Sequence, residues 1–225
     1  MVLMIAAIEK CAIAEFDGAI TCVIFLQGCD MKCSYCQNSA LIKPYSEKAM
    51  EATAEEIIEE IPWDEIDAIS ITGGEPLWSA LGTQEGGADL MRLLMHARDR
   101  RKKTNIDTNG NFANEEKMRL LEHVAPYLTS ISVDIKYGAP PYINQMAMSL
   151  RKAMLFSQAR FRMVLFKGRW QPKNCIESGI SALLLNNIRL ITGVRNENVA
   201  PMMTDDECKE MKEAWHKLGI ELVIK

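Results

Sequence analysis

Nowhere does this chain of 225 residues run to the about 18 consecutive apolar residues that a membrane-spanning helix needs, so no span is expected. Its apolar start, Met1 to Ile8, lacks the basic segment of a signal peptide and reads as a first strand. A basic excess is missing too. Twenty-six Lys and Arg face thirty Asp and Glu, for a formal net charge of −4. That balance argues against general nucleic-acid binding, because neutralising phosphates calls for a basic face. The basic run from Arg98 to Lys103 closes an amphipathic segment, where it complements a helix C-terminus. No internal repeat or low-complexity segment is present. A disulfide framework is also not expected, since the seven cysteines are odd in number and three of them fall within the eight residues 29–36. Such crowding points to a metal site in a reducing cytoplasm.

What is present is an alternation of short β-rich runs with longer helical ones. Residues around 4–14 and 19–26 read as a hairpin about Phe16-Asp17-Gly18. Further strands are expected at 66–72, 103–107, 130–136, 160–166, 188–192 and 220–224. Helices fall between them. One starts at Thr53, which forms a capping box with Glu56 and has Ile57, Ile58 and Ile61 on its apolar face. The next, near 87–101, buries Leu90, Leu93, Leu94 and Ala97. Asn114 caps one whose inner face is Met118, Leu121, Val124 and Leu128. Others lie at 142–158 and near 173–187, and the last is capped by Thr204 with Glu207 and stopped by Gly219. Such alternation predicts an α/β fold with a parallel sheet. About six βα units are too few for a closed eight-stranded barrel, so an open, partial TIM-like barrel is expected, with its ligands at the C-terminal strand ends. The chain is read as one domain: an N-terminal strand and hairpin (1–18), a core (19–170) and C-terminal βα units (171–225).

Cys29, Cys33 and Cys36 form a Cys-x3-Cys-x2-Cys spacing. Three thiolates on one loop hold three irons of a cubane that takes four when fully ligated, which leaves one iron open to an exogenous ligand. Zinc is the alternative on spacing alone, but it commonly uses two Cys-x2-Cys pairs and no second pair exists. Cys11, Cys22, Cys175 and Cys208 read as scattered core or surface residues. Each candidate partner motif sits at an expected strand end, as one active site requires: Thr72-Gly73-Gly74-Glu75-Pro76, Asp107-Thr108-Asn109-Gly110 and Asp134-Ile135-Lys136.

Together with Phe25-Leu26-Gln27-Gly28-Cys29 through Cys36-Gln37-Asn38, these segments strongly resemble the radical S-adenosylmethionine (SAM) superfamily. They resemble most closely the small activating enzymes of glycyl radical enzymes, including the activases of pyruvate formate-lyase and anaerobic ribonucleotide reductase. The match runs from Asp17-Gly18 to about residue 168. It implies a 4Fe-4S cluster on Cys29, Cys33 and Cys36 whose open iron chelates SAM. It implies reductive cleavage of SAM to methionine and a 5′-deoxyadenosyl radical, which takes a hydrogen atom from a glycine of a partner glycyl radical enzyme. A flavodoxin or ferredoxin-type protein would supply the electron. On this resemblance Tyr35 packs near the adenine, Gly73 and Gly74 bring backbone carbonyls to the SAM ammonium, and Glu75 belongs to the cofactor site or orients that loop. Asp107, Thr108 and Asp134 bind a monovalent cation beside the SAM carboxylate, Lys136 pairs with that carboxylate, and Arg162 joins the site if its strand turns it inward.

The 36 residues between Cys36 and Gly73 contain no cysteine. The extra-cluster insert of the larger activases is therefore missing, which favours the compact subgroup. Two departures stand out. Gln37 replaces the histidine of formate-lyase activases, and Phe166 to Trp170 differs from the usual ending of the fifth strand. A small-molecule radical SAM enzyme, such as 7-carboxy-7-deazaguanine synthase, is the alternative, and Asp134-Ile135-Lys136 speaks against it. A plain iron–sulfur electron carrier would leave the SAM motifs without a use.

Overall fold

The computed structural model of the protein describes residues 2–16, 18–82, 86–136, 140–165, 180–188, 190–195 and 203–224. The expected hairpin is present. β1 (Leu3–Phe16) folds back antiparallel on β2 (Ala19–Leu26), with Phe16 opposite Ala19. A three-residue β3 (Met50–Ala52), too short to be legible in sequence, pairs with the first residues of β1. From β2 onward every neighbouring pair is parallel. These strands are β4 (Ala68–Gly73), β5 (Lys103–Thr108), β6 (Ser130–Asp134), β7 (Ala159–Leu165), β8 (Leu190–Arg195) and β9 (Glu221–Ile224). The order across the sheet is β3-β1-β2-β4-β5-β6-β7-β8-β9, and among the described residues its two ends do not pair. The result is the open, mostly parallel α/β architecture expected.

The helices are α1 (Ala54–Glu60), α2 (Pro76–Leu81), α3 (Gly86–Asp99), α4 (Glu115–Val124), α5 (Pro140–Lys152), α6 (Ile180–Leu185) and α7 (Asp205–Lys217). Both capping boxes form. Thr53 Oγ1 accepts from Glu56 N at 3.2 Å while Thr53 N donates to Glu56 Oε2 at 2.8 Å, and Thr204 repeats the exchange with Glu207. Asn114 caps α4 through Glu116 N and Lys117 N. Pro76 opens α2 at a position where a missing N–H costs nothing. The long helix expected over 142–158 instead stops at Lys152, and Met154 then takes a left-handed φ of 58°. The first part of the helix expected near 173–187, residues 173–179 with Cys175, lies outside the described residues. No described helix is long and apolar enough to cross a membrane.

Strand alternation gives the sheet two unlike faces. Ile69, Ile71, Ile106, Ile131 and Val133 are buried, and they share one core with Leu90, Leu93, Leu94 and Ala97 of α3. Each such leucine contributes about 1.5–3 kcal/mol by leaving water. The other face is polar inside the barrel. There Asn105 Nδ2 donates to Ser70 Oγ at 3.0 Å, Asn105 Oδ1 accepts from Ser130 and Ser132, and Arg160 Nη2 reaches Asn105 and Ser130. This floor closes the bottom of the barrel and leaves the C-terminal strand ends to form a cavity.

Candidate active site

A cavity of about 380 Å³ opens at those strand ends. Cys29, Cys33, Tyr35 and Cys36 line it from the loop after β2, Gly73 and Gly74 from β4, Asp107 and Thr108 from β5, Asp134 and Lys136 from β6 and Arg162 from β7. Segments more than a hundred residues apart in sequence thus share one wall. Glu75 is the exception among the expected cofactor residues. It is fully buried and takes no part in lining the cavity.

The cysteine loop is fastened at both flanks. Gly28 N donates to the Leu41 carbonyl at 2.8 Å and Cys29 N to that of Ile42 at 3.0 Å. Gln27 Nε2 reaches the Lys43 carbonyl at 2.6 Å, while Ser79 Oγ of α2 donates to the Gln27 carbonyl at 2.5 Å. Gly73 and Gly74 have a reason beyond the cofactor contact expected of them. A Cβ on Gly73, whose φ is +121°, would lie 2.2 Å from the Leu26 carbonyl oxygen, and one on Gly74 would lie 2.0 Å from that of Gly28. The end of β4 nests directly on the backbone leading into the cysteines, so only glycine fits.

Beneath the cavity lies a charge network that sequence reasoning missed. Lys117 of α4 is 0% exposed, and its Nζ sits 3.3 Å from Asp30 Oδ2, 3.3 Å from Glu75 Oε1 and 3.0 Å from Asn109 Oδ1. Glu75 accepts from Thr108 Oγ1 at 2.9 Å and Asn109 N at 2.7 Å. Asp30 in turn accepts from Asn109 Nδ2 at 2.6 Å and Asn111 Nδ2 at 3.2 Å. Glu75 therefore orients the Asp-Thr-Asn-Gly loop rather than meeting a ligand, and Lys117 ties that loop to the cysteine loop. The sequence expectation for α4 put Met118 on the inner face; Met118 is half-buried and Lys117 takes the buried position. A lysine within an otherwise apolar helical stripe was the available signal.

Arg162 does turn inward. Its Nη2 is 3.2 Å from Asp107 Oδ2 and its Nε 3.0 Å from Asp134 Oδ1, while Lys136 Nζ takes Asp134 Oδ2 at 2.8 Å. Burial alone would raise the Asp134 carboxyl, but the Arg162 and Lys136 charges outweigh it and hold the group below its ordinary value. Burial likewise works against the charge of Lys136, and Asp134 overrides it, so the ammonium is raised. Glu15 of β1 also faces the cavity, an acid that sequence analysis did not single out. Burial, then the Asp107 charge, raises its carboxyl. Tyr142 of α5 donates to the Asn109 carbonyl and, at 3.3 Å, to that of Asp134, joining the ends of β5 and β6 behind the cavity.

The thiols of Cys29 and Cys33 are raised by burial. A hydrogen bond from Met31 N works the other way at Cys29, and the Lys136 charge does so at Cys33. Cys22 is a core residue, its thiol pushed up to about 11 by burial; Cys208 is buried and Cys11 exposed. Among the described residues, no group of three or more His, Cys, Asp or Glu is gathered so as to hold a single metal ion. A cubane makes a different demand, since it offers a separate iron to each thiolate. Three half-buried thiols on one loop facing one cavity fit that donor set. The cation site fits less well. Each carboxylate oxygen of Asp107 and Asp134 already meets a donor, Asn105 Nδ2 at 2.7 Å, Arg162 or Lys136, and Thr108 Oγ1 donates to Glu75 and accepts from Gly110 N.

A family model described as a 4Fe-4S single cluster domain matches residues 17–151, more than half of the chain, and the chain belongs to that family. Among its relatives, it is 33% identical over 126 residues to a Methanocaldococcus jannaschii protein provisionally named a glycyl-radical enzyme activating enzyme; the match covers 54% of this chain and 48% of that protein. Over 135 residues it is 29% identical to the pyruvate formate-lyase-activating enzyme of Staphylococcus aureus strain USA300, covering 56% and 51%. The chain thus spans about half the length of the curated relatives it matches. Its fold is similar to that of Streptococcus suis SuiB bound to S-adenosylmethionine (TM-score 0.57, 15% identity, 88% of this chain and 45% of that one). It is also similar to a domain of the pyruvate-formate lyase-activating enzyme of Bacteroides vulgatus ATCC 8482 (TM-score 0.52, 15% identity, 70% and 98%). These two likenesses concern the fold alone. The resemblance to activases of glycyl radical enzymes carried by the motifs is met by the names of these relatives.

Proposed function

We propose that this chain is a cytoplasmic radical SAM activase that takes a hydrogen atom from a glycine of a partner glycyl radical enzyme. The observation that carries the reading is the single cavity joining Cys29, Cys33 and Cys36 to Gly73, Gly74, Asp107, Asp134, Lys136 and Arg162. Cys29, Cys33 and Cys36 would hold a 4Fe-4S cluster, and when bound the cluster and SAM supply reductive cleavage to a 5′-deoxyadenosyl radical.

The chain's own residues bind, orient and exclude water. Lys136 and Arg162 present positive charge for a carboxylate, and the Gly73 and Gly74 backbone lies where an ammonium would find carbonyl acceptors. Tyr35 offers its ring to the adenine from between two cluster cysteines. The polar floor around Asn105 is closed by its own hydrogen bonds, so the hydrogen donor enters from the strand-end side. A volume of about 380 Å³ lies at the small end of ligand sites, of about 300–1,000 Å³. Residues 37–72 fold into a 3-10 turn, β3, α1 and most of β4 with no further cysteine, in keeping with a compact, single-cluster activase served by a flavodoxin or ferredoxin-type donor.

Anaerobically reconstituted protein, given dithionite and SAM, should form 5′-deoxyadenosine; none formed would sink the radical SAM reading. Mixed with candidate glycyl radical enzymes, it should yield a glycine-centred doublet by electron paramagnetic resonance. Failure with every candidate, alongside turnover of a small pterin, would move the assignment to a small-molecule enzyme.

A further inference from the structure

We propose that Arg162 is a built-in counter-ion at this site, so that the chain holds the SAM carboxylate without a bound monovalent cation. The proposal rests on the SAM-binding reading above and concerns how that site is neutralised.

Two carboxylates at neighbouring strand ends, Asp107 and Asp134, repel one another and invite a cation between them. The register decides which cation. Asp134 and Arg162 are direct partners across the β6–β7 pair, whereas Asp107 is level with Ser132 on the far side of β6. The guanidinium spans the end of β6 and reaches both acids, Asp134 through Nε at 3.0 Å and Asp107 through Nη2 at 3.2 Å. The planar guanidinium offers fixed N–H donors in different directions, so it meets one acid through Nε and the other through Nη2. With Lys136 on the other oxygen of Asp134, two positive side chains meet these two acids, and Glu15 of β1 is a third acid facing the same cavity. Thr108, the neutral ligand expected of a cation site, donates its hydroxyl to buried Glu75 at 2.9 Å, and its oxygen accepts from Gly110 N at 3.2 Å. A sodium or potassium ion there would share these acids with the Arg162 and Lys136 charges, which repel it. The Arg162 side chain is 27% exposed and lines the cavity, where its remaining N–H donors can take a carboxylate.

The test uses cluster-reconstituted protein in potassium chloride or in choline chloride at equal ionic strength. SAM affinity is measured by calorimetry, and cation binding directly by thallium-205 resonance broadening, with no SAM present. For the wild-type chain the SAM affinity is expected to be the same in both salts, and thallium to show no saturable broadening. Arg162→Gln should bind thallium saturably and lose about tenfold or more in SAM affinity in choline, with partial recovery in potassium. Arg162→Lys should fall between the two. Saturable thallium binding by the wild type, or a potassium requirement for its SAM affinity, would overturn the proposal. Should Arg162→Gln fail to fold, the wild-type measurements decide alone. Absence of SAM binding in both salts would count against the SAM reading, while the thallium measurement would still judge Arg162.

Discussion

Replacing Lys117 with Met keeps most of the apolar stem and removes only the buried ammonium. At an effective dielectric of about 20, each of its two ion pairs at 3.3 Å corresponds to about 5 kcal/mol of direct attraction. Much of that attraction is offset by the desolvation of ions taken out of water. What the substitution exposes is the other side of the account: Glu75, 0% exposed, keeps its charge with only the Thr108 hydroxyl and the Asn109 N–H to meet it. Removing one partner of such a pair costs about 3–5 kcal/mol. For a chain of this size that lowers the melting temperature by about 6–20 °C. Urea unfolding of the metal-free protein measures the loss, and iron content after reconstitution reports whether the cysteine loop, no longer tied through Asp30, still assembles. Adding Glu75→Gln to the same chain should restore part of the stability, because the orphaned charge is gone. A loss under about 1 kcal/mol for Lys117→Met, or no recovery in the double variant, would refute the claim that the ammonium pins these loops.

Four other outcomes follow. Cys29→Ala, Cys33→Ala or Cys36→Ala should each abolish cluster absorbance and SAM cleavage, while Cys11→Ala, Cys22→Ala and Cys208→Ala keep full iron content; ultraviolet–visible spectra after reconstitution decide it. Gly74→Ala, whose Cβ would sit 2.0 Å from the Gly28 carbonyl oxygen, should cost about 1–3 kcal/mol in urea unfolding and lower iron content by displacing the cysteine loop. Asp107→Ala should weaken SAM binding in a calorimetric titration while iron content stays near the wild-type level. The lowered carboxyl of Asp134 gives a stability contribution present above its ordinary value of 3.8 and lost as pH falls through the depressed folded value. The gap in urea midpoint between wild type and Asp134→Asn should therefore hold at neutral pH and close in the acid range below 3.8.

Much of the architecture was legible because it rests on short-range rules. Apolar periodicity located the parallel strands, and both capping boxes stood where Thr and Glu fell three residues apart. The site motifs were legible as strand-end motifs, and their convergence followed from the parallel topology. Other features depend on tertiary partners. Lys117 reads as a solvated helix position until Asp30 and Glu75 surround it. The two glycines suit a cofactor contact until Leu26 and Gly28 take up the space. The backbone break at Met154 answers to no local signal, so the helix was expected to run on. Arg162 is a different case: Phe161, Met163 and Leu165 are the apolar parity of β7, and that alternation alone turns Arg162 to the other face.

The anchoring of the cysteine loop has a consequence for maturation. Its backbone is already held by Leu41 and Ile42, its Gln27 side chain by Lys43, and its Asp30 by Asn109, Asn111 and Lys117, through bonds that involve no sulfur. In small metal-nucleated domains the metal supplies the folding energy, and chelation unfolds the chain. With these bonds the scaffold is expected to stand before the inorganic part is added to it. Stripping the iron should cost the protein its colour and leave its melting curve nearly in place. The assembly machinery would then be handed a finished receptacle rather than an unfolded strand.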